Sequence, residues 1–153
     1  RGVLFIGLMI KDNEANVLEY NTRFGDPETE VVLLRLKSDL LEIMLKTTDG
    51  TLKETDLIWY DEKSVTVIIA SGGYPENYEK GKEIFGLDEI DNDVIVFHAG
   101  TKFNNGKIVT NGGRVLAVTC LDDSIENARE KVYKNIKKIR FENMEFRTDI
   151  AKL

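Results

Sequence analysis

Residues 17–30, reading Val-Leu-Glu-Tyr-Asn-Thr-Arg-Phe-Gly-Asp-Pro-Glu-Thr-Glu, leave the chain little conformational choice. Residues 17–21 form a strand by length and apolar content, so Glu19 and Asn21 take one face while Leu18 and Tyr20 take the other. Two steps of about 3.3 Å put the Cα atoms of Glu19 and Asn21 roughly 6.5 Å apart, within reach of one hard cation or of an adjacent pair. Arg23 follows on the same parity if the extended form continues. A guanidinium beside a bound cation suits a phosphate or an acyl phosphate, because its planar fork donates two hydrogen bonds to two anionic oxygens. Gly25 then admits a sharp turn, Asp26 is a preferred N-cap, and Pro27 suits the first helical position. Taken singly, Glu-x-Asn on a strand is ordinarily a solvated face and Asp-Pro-Glu ordinarily a helix start. The continuous run is far more specific than its parts.

The rest of the chain organises around this run. Residues 2–10 are nearly continuous apolar sequence, as in a strand covered on both faces, and a polar turn over residues 11–16 pairs them with residues 17–21 as a hairpin. Apolar residues from Val31 to Leu45 predict one long helix over residues 27–46, contacted from several sides and ended near Gly50. Leu57, Ile58, Trp59 and Tyr60 are expected to pin the connecting segment to the core. Residues 65–70 form a buried strand, and Ser71-Gly72-Gly73-Tyr74-Pro75 breaks it into a long loop reaching Gly86. Residues 94–98 follow as a strand, Asn105-Gly106 signals a hairpin, and Asn111-Gly112-Gly113 leads into residues 114–120, predicting an antiparallel meander. Asp123 with Glu126 resembles a capping box, ahead of a helix whose apolar stripe is Ile125, Ala128, Val132, Ile136 and Ile139. Its lysines read as a solvated face. The expected fold class is α+β, with a change of architecture dividing residues 1–56 from residues 57–153.

Composition narrows the functional classes. With 42% hydrophobic and 31% charged residues, the 153-residue chain reads as a soluble globular protein. A net charge of −6 argues against a dedicated nucleic-acid surface. No apolar run approaches the roughly 18–20 residues that cross a bilayer, so no membrane partner is expected. One cysteine, Cys120, cannot form an internal disulfide and fits a reducing, cytoplasmic setting. His98 is the single histidine, without the companions of a zinc site, and reads as hydrogen-bonded and structural. Gly72-Gly73 and Gly112-Gly113 are open to two readings, tight turns or nests of backbone N–H groups for a phosphate. The start at Arg1, entering an apolar strand almost at once, is expected of a segment from inside a longer polypeptide.

Residues 23–28 (Arg-Phe-Gly-Asp-Pro-Glu) resemble the signature of the glycinamide ribonucleotide synthetase (phosphoribosylamine-glycine ligase) family of ATP-grasp enzymes, and Glu19-Tyr20-Asn21 resembles its metal-binding strand. The blocks at residues 35–40, 72–75, 97–101 and 109–115 recur in that family in this order at similar spacing. Two positions depart from its pattern: Glu30 stands where Gln is more common, and Ala151 where Gly often follows Asp149-Ile150.

The resemblance implies that residues 1–56 are the C-terminal part of an ATP-grasp domain, a hairpin plus a long helix, carrying the metal and phosphate site. It implies that residues 57–153 form a small antiparallel-sheet domain with one helix. The activity implied is ATP-dependent joining of glycine to 5-phosphoribosylamine through a glycyl phosphate, in purine biosynthesis. Glu19 and Asn21 would hold Mg²⁺ or Mn²⁺ against ATP, Arg23 would be catalytic, and Gly25, Asp26 and Glu28 would face the substrates. For Asp26 and Glu28 the helix-start reading competes directly. A missing N-terminal portion of the same enzyme would supply much of the ATP pocket, so the segment alone is expected to be inactive. Another ATP-grasp carboxylate-amine ligase, or a non-catalytic binding module on the same fold, are the alternatives.

Overall fold

The computed structural model describes residues 1–152. Its chain divides into two compact units, residues 1–60 and residues 61–152.

In the first unit, β1 (Phe5–Lys11) and β2 (Glu14–Asn21) pair as an antiparallel hairpin. The predicted turn tightens to Asp12 and Asn13, at φ of 52° and 64°, the two left-handed positions that a two-residue turn matching strand twist requires. The expected two-sided burial of this hairpin is not met. Leu8, Met9, Ile10, Leu18 and Tyr20 are all at least 48% exposed, and among the described residues of the unit only Gly25 is fully buried.

The single long helix is also corrected. A short α1 (Glu28–Val32) tightens into a 3-10 turn (Leu33–Arg35), the chain extends at Leu36, and α2 (Leu40–Asp49) begins afresh. Local polar chemistry makes the break. The Asp39 carboxylate accepts from the Glu42 N–H at 2.9 Å and caps α2, while the Ser38 hydroxyl accepts from the Ile58 N–H at 2.7 Å. Lys37 N–H to Ile58 O and Tyr60 N–H to Arg35 O complete a strap between residues 35–38 and 58–60. This strap holds the connecting segment through its backbone. The side chains of Leu57, Ile58, Trp59 and Tyr60 remain 40–56% exposed, against the expectation that they pin it. Gly50 ends α2 as predicted, at φ 82° with its N–H on Lys46 O.

The second unit is built on β3 (Lys63–Ser71). After the loop, β4 (Val94–His98), β5 (Thr101–Asn104), β6 (Lys107–Thr110), β7 (Arg114–Asp122), α3 (Ile125–Ile136) and β8 (Met144–Phe146) follow. The four-stranded sheet has the order β4-β7-β3-β8, all antiparallel, and β5 and β6 make a separate hairpin. The predicted meander is therefore wrong at one joint. β6 does not pair with β7; the hairpin is an insertion between β4 and β7, which pair directly and extend their contact through Ala99 N–H to Val115 O and Gly100 N–H to Arg114 O. Gly100 and Gly112 pack against one another: a Cβ on Gly100 would come within 2.7 Å of the Gly112 Cα, and one on Gly112 within 3.0 Å of the Gly100 Cα.

Cross-strand pairs Val65–Cys120, Val67–Val118 and Ile69–Leu116 face α3, which lays Ala128, Val132 and Ile136 onto them as its stripe predicts. The cap lies one residue later than expected: Ser124, not Asp123, accepts from the Asn127 N–H at 3.1 Å, and Glu126 consequently falls short of the position that would reciprocate. Ala151 holds φ 53°, in the left-handed region that glycine adopts more comfortably than alanine.

The lysines of α3 and of the turn just after it are structural clamps as well as a polar face. Lys131 bridges Asp93 at 2.7 Å and Asp122 at 2.8 Å, and Lys138 and Lys134 meet Asp91 at 2.6 and 3.2 Å. Asn135, fully buried, accepts from the Asp91 N–H and donates to its carboxylate. Hydrogen bonds from Lys138, Asn135 and Lys134 hold the Asp91 carboxyl well below the usual carboxylate range, and Lys131 does the same for Asp93 and Asp122. A depressed folded-state pKa adds stability at neutral pH that is lost as pH falls through the carboxylate range. Lys131→Met should lower the melting temperature by a few degrees at pH 7, and the gap to the parent chain should be narrower at pH 3, where the pH has fallen below the ordinary carboxylate value toward the depressed ones. Thermal melts of both chains at the two pH values check it.

Candidate active site

β2 carries Glu19 and Asn21 on one face, as the alternation of the strand requires, with Glu19 opposite Gly7 and Asn21 opposite Phe5 on β1. The register slips between Gly7 and Leu8, so Leu18 is an extra residue on β2 immediately before Glu19. Bulges of this kind re-aim the neighbouring side chain. Glu19 is exposed and Asn21 half-buried at the strand end.

Arg23 stands past the end of β2 and is exposed. One Nη1 hydrogen goes to its neighbour's carbonyl, Phe24 O, at 3.0 Å, and the guanidinium pairs with no carboxylate among the described residues. Arg23 borders a cavity of about 620 Å³, with Val3, Thr22 and Phe24 on its side and Ile43 and Met44 of α2 opposite.

The turn after Arg23 is built differently from the expectation. Pro27, not Asp26, occupies the N-cap of α1, and no side chain caps this helix. The first-turn donors close instead on the Gly25 carbonyl, which accepts from both the N–H and the hydroxyl of Thr29. Pro27 itself stands at φ −103° and ψ 19°, outside helical values, which moves the helix start one residue on. The φ of Gly25 lies outside the left-handed region, and what its missing side chain supplies is room: a Cβ there would overlap the far end of the Glu28 side chain, which folds back over the buried glycine. Glu28 is thus held against the turn, and Asp26 stays on the exposed side. Glu30 has its Oε2 buried without a hydrogen-bond partner, and so does Arg35 at Nε.

Glu19 and Asn21 offer two oxygen donors on an open strand face. That donor set fits a hard cation completing its shell with phosphate and water oxygens, and not zinc, which wants nitrogen or sulfur ligands in a closed set. No group of three or more His, Cys, Asp or Glu side chains able to hold a metal occurs among the described residues. The other candidates resolve as structural. His98 Nδ1 shares a hydrogen bond with the Thr101 hydroxyl at 3.0 Å. Gly72 abuts the Asn143 backbone and Gly113 seats the Tyr74 ring, so both glycine pairs serve close packing. Cys120 is buried and unpaired, its thiol pushed up by burial. The sequence reading passed over Gly7, the residue opposite Glu19, although a glycine inside an otherwise apolar strand is a signal of close approach.

The strand that carries Glu19 and Asn21, and the turn at Gly25, lie in a stretch that resembles an ATP-grasp domain. Residues 1–29 match the family described as Phosphoribosylglycinamide synthetase, ATP-grasp (A) domain, and residues 64–153 match Phosphoribosylglycinamide synthetase, C domain. The chain belongs to the phosphoribosylglycinamide synthetase family. It is 52% identical over 151 residues to the phosphoribosylamine–glycine ligase of Caldanaerobacter subterraneus subsp. tengcongensis, covering 99% of this chain and 36% of that protein. A bifunctional purine biosynthetic protein of Pichia angusta is 50% identical over 152 residues, 98% of this chain and 19% of its own length. The crystal structure of phosphoribosylamine–glycine ligase from Thermotoga maritima superposes with a TM-score of 0.76 at 36% identity, covering 96% of this chain and 36% of that one. The chain thus spans about a third of the length of the ligases it matches. The described residues contain no helix long and apolar enough to cross a membrane.

The overlap at Gly25 generates a stability test. Gly25→Ala should displace the Glu28 carboxylate, the movable end of a flexible side chain, and lower stability by no more than about 0.5–1 kcal/mol. In a Glu28→Ala background the same change should be nearly neutral. Urea melts of the four full-length proteins in this cycle decide it.

Proposed function

We propose that the chain is the C-terminal third of an ATP-dependent ligase that joins glycine to 5-phosphoribosylamine, yielding glycinamide ribonucleotide, ADP and phosphate in cytoplasmic purine biosynthesis. The observation that carries the reading is the run of Glu19, Asn21 and Arg23, which places two hard oxygen donors on one strand face and an unpaired guanidinium just beyond them, beside a cavity, in a chain of this family.

In this reading a glycine carboxylate oxygen attacks the γ-phosphorus of ATP, the bond to the bridging oxygen breaks, and ADP departs. The amine nitrogen of phosphoribosylamine then attacks the acyl carbon, losing a proton as phosphate leaves. Little covalent chemistry falls to the protein, which positions reactants and neutralises charge. Glu19 and Asn21 would hold Mg²⁺ or Mn²⁺, which when bound supplies positive charge against the phosphate oxygens. Arg23 donates its planar fork to the transferring phosphoryl group or the acyl phosphate. Its Nη1 bond to Phe24 O aims the group without neutralising it. Gly25 brings the Glu28 carboxylate against the turn, and Glu28 with Asp26 faces the amine-bearing substrates.

The apolar exposure of the hairpin and the buried orphans at Glu30 and Arg35 support a further part of the reading, that preceding sequence of the same enzyme covers this unit and supplies the rest of the nucleotide pocket. The chain alone should accordingly show no glycine- and ATP-dependent turnover, and measurable product from it would overturn that part.

Substitutions test the assigned roles in the full-length enzyme. Glu19→Gln should lower turnover by about 10²–10⁴ and flatten the Mg²⁺ dependence, as loss of several kcal/mol of charge stabilisation requires. Arg23→Lys keeps the charge and loses the fork, so turnover should fall on the order of 10² with little change in melting temperature. A surface ion pair would survive that change, being worth about 0–1 kcal/mol with either residue. Near-normal rates for Arg23→Lys, or losses that track unfolding, would return Arg23 to a structural role.

A further inference from the structure

We propose that Gly7 is a positioning residue for Glu19, an inference that rests on the metal role assigned to Glu19 above. The two residues are direct cross-strand partners, so side chains at both would rise from the same face of the hairpin. Gly7 leaves that place empty, and Glu19 leans across it. A Cβ at position 7 would stand 3.0 Å from Glu19 Cγ and 3.7 Å from Oε1. The first distance is tighter than most carbon contacts, and the atom met is Cγ, inside the side chain, so the Glu19 arm must give by a few tenths of an ångström. The register slip between Gly7 and Leu8 sits at the same point and aims Glu19 toward β1. The position of Oε1 over β1 is therefore set by a missing side chain, and a metal oxygen ligand must be held within a few tenths of an ångström to keep its affinity.

The backbone makes the proposal testable. Gly7 has no left-handed φ, so alanine fits its conformation. A glycine-to-alanine change at such a site stabilises a fold by restricting the unfolded chain. A merely structural glycine would show that gain or a simple packing loss, with no link to metal.

The experiment uses the full-length enzyme and Mn²⁺ as the probe, with free Mn²⁺ followed by electron paramagnetic resonance in the presence of a non-hydrolysable ATP analogue. Gly7→Ala should raise the Mn²⁺ dissociation constant about 10-fold, the usual effect of losing a group that orients a ligand. Its melting temperature without metal should equal or exceed that of the parent. In a Glu19→Ala background, where Cγ is gone, Gly7→Ala should change Mn²⁺ binding no further. Unchanged Mn²⁺ affinity in Gly7→Ala alone overturns the proposal, as does a loss that persists in the Glu19→Ala background or that accompanies a lowered melting temperature. Should Glu19→Ala itself leave Mn²⁺ affinity untouched, the metal assignment fails first and the inference falls with it.

Discussion

The antiparallel ladder between β3 and β7 is the interaction on which the second unit depends. It runs from Lys63 opposite Asp122 to Ala70 opposite Arg114, and each remaining sheet strand attaches to it, β4 along β7 and β8 along β3. One face of the ladder presents Val65, Val67, Ile69, Leu116, Val118 and Cys120, and α3 covers them. On the other face the buried hydroxyls of Thr66 and Thr119, opposite one another, share a hydrogen bond at 2.6 Å and so satisfy their own polar groups. With the core fixed this way, loops take their places by ion pairs and backbone bonds to the rim. Lys131 and Lys138 tie residues 91 and 93 to α3, and Ile84 N–H to Ile108 O ties the long loop to β6.

The first unit is held by different means. It buries no large apolar side chain among its described residues, and its shape comes from the hairpin ladder, the strap from residues 35–38 to 58–60, and the capping of α2 by Asp39. Tight places occur where glycine permits an approach. Gly25 admits the Glu28 carboxylate, and Gly7 admits the Glu19 side chain. In both cases an acidic group is located by a vacancy opposite it, a device that asks for little hydrophobic burial.

How much of this was legible in the sequence follows from the range of the forces involved. Period-two alternation placed Glu19 and Asn21 on one face, and period-3.6 spacing identified the stripe of α3, because both patterns record burial directly. The long helix over residues 27–46 failed because its apolar residues carry no sign of the strap to residues 58–60. Asp39 was there to be read as a cap and was absorbed into the helix instead. The meander failed for a related reason: strand pairing between β4 and β7 is nonlocal, and nothing local distinguishes Asn111-Gly112-Gly113 as a loop crossing from the same residues as a hairpin turn. Three-residue β8 is too short to show any alternation. Within the site, residue types were readable, and the vacancies at Gly7 and Gly25 were not, since a glycine in sequence does not name what fills its space.

The two modes of construction imply different relations between stability and function. In the second unit, side chains that fix geometry are the same ones that bury area, so disturbing them moves stability first. In the first unit the acidic groups of the site stand at exposed or half-buried positions of a strand, a turn and a helix start, where substitutions away from the core ordinarily shift stability by no more than about 0.5 kcal/mol. Their geometry is nevertheless tightly specified, by van der Waals exclusion at two glycines and by backbone hydrogen bonds at one carbonyl. A change there can leave the fold intact and still move an oxygen by several tenths of an ångström. Ligand affinity and turnover, which depend steeply on such displacements, are then the sensitive readouts, and the melting curve is the insensitive one.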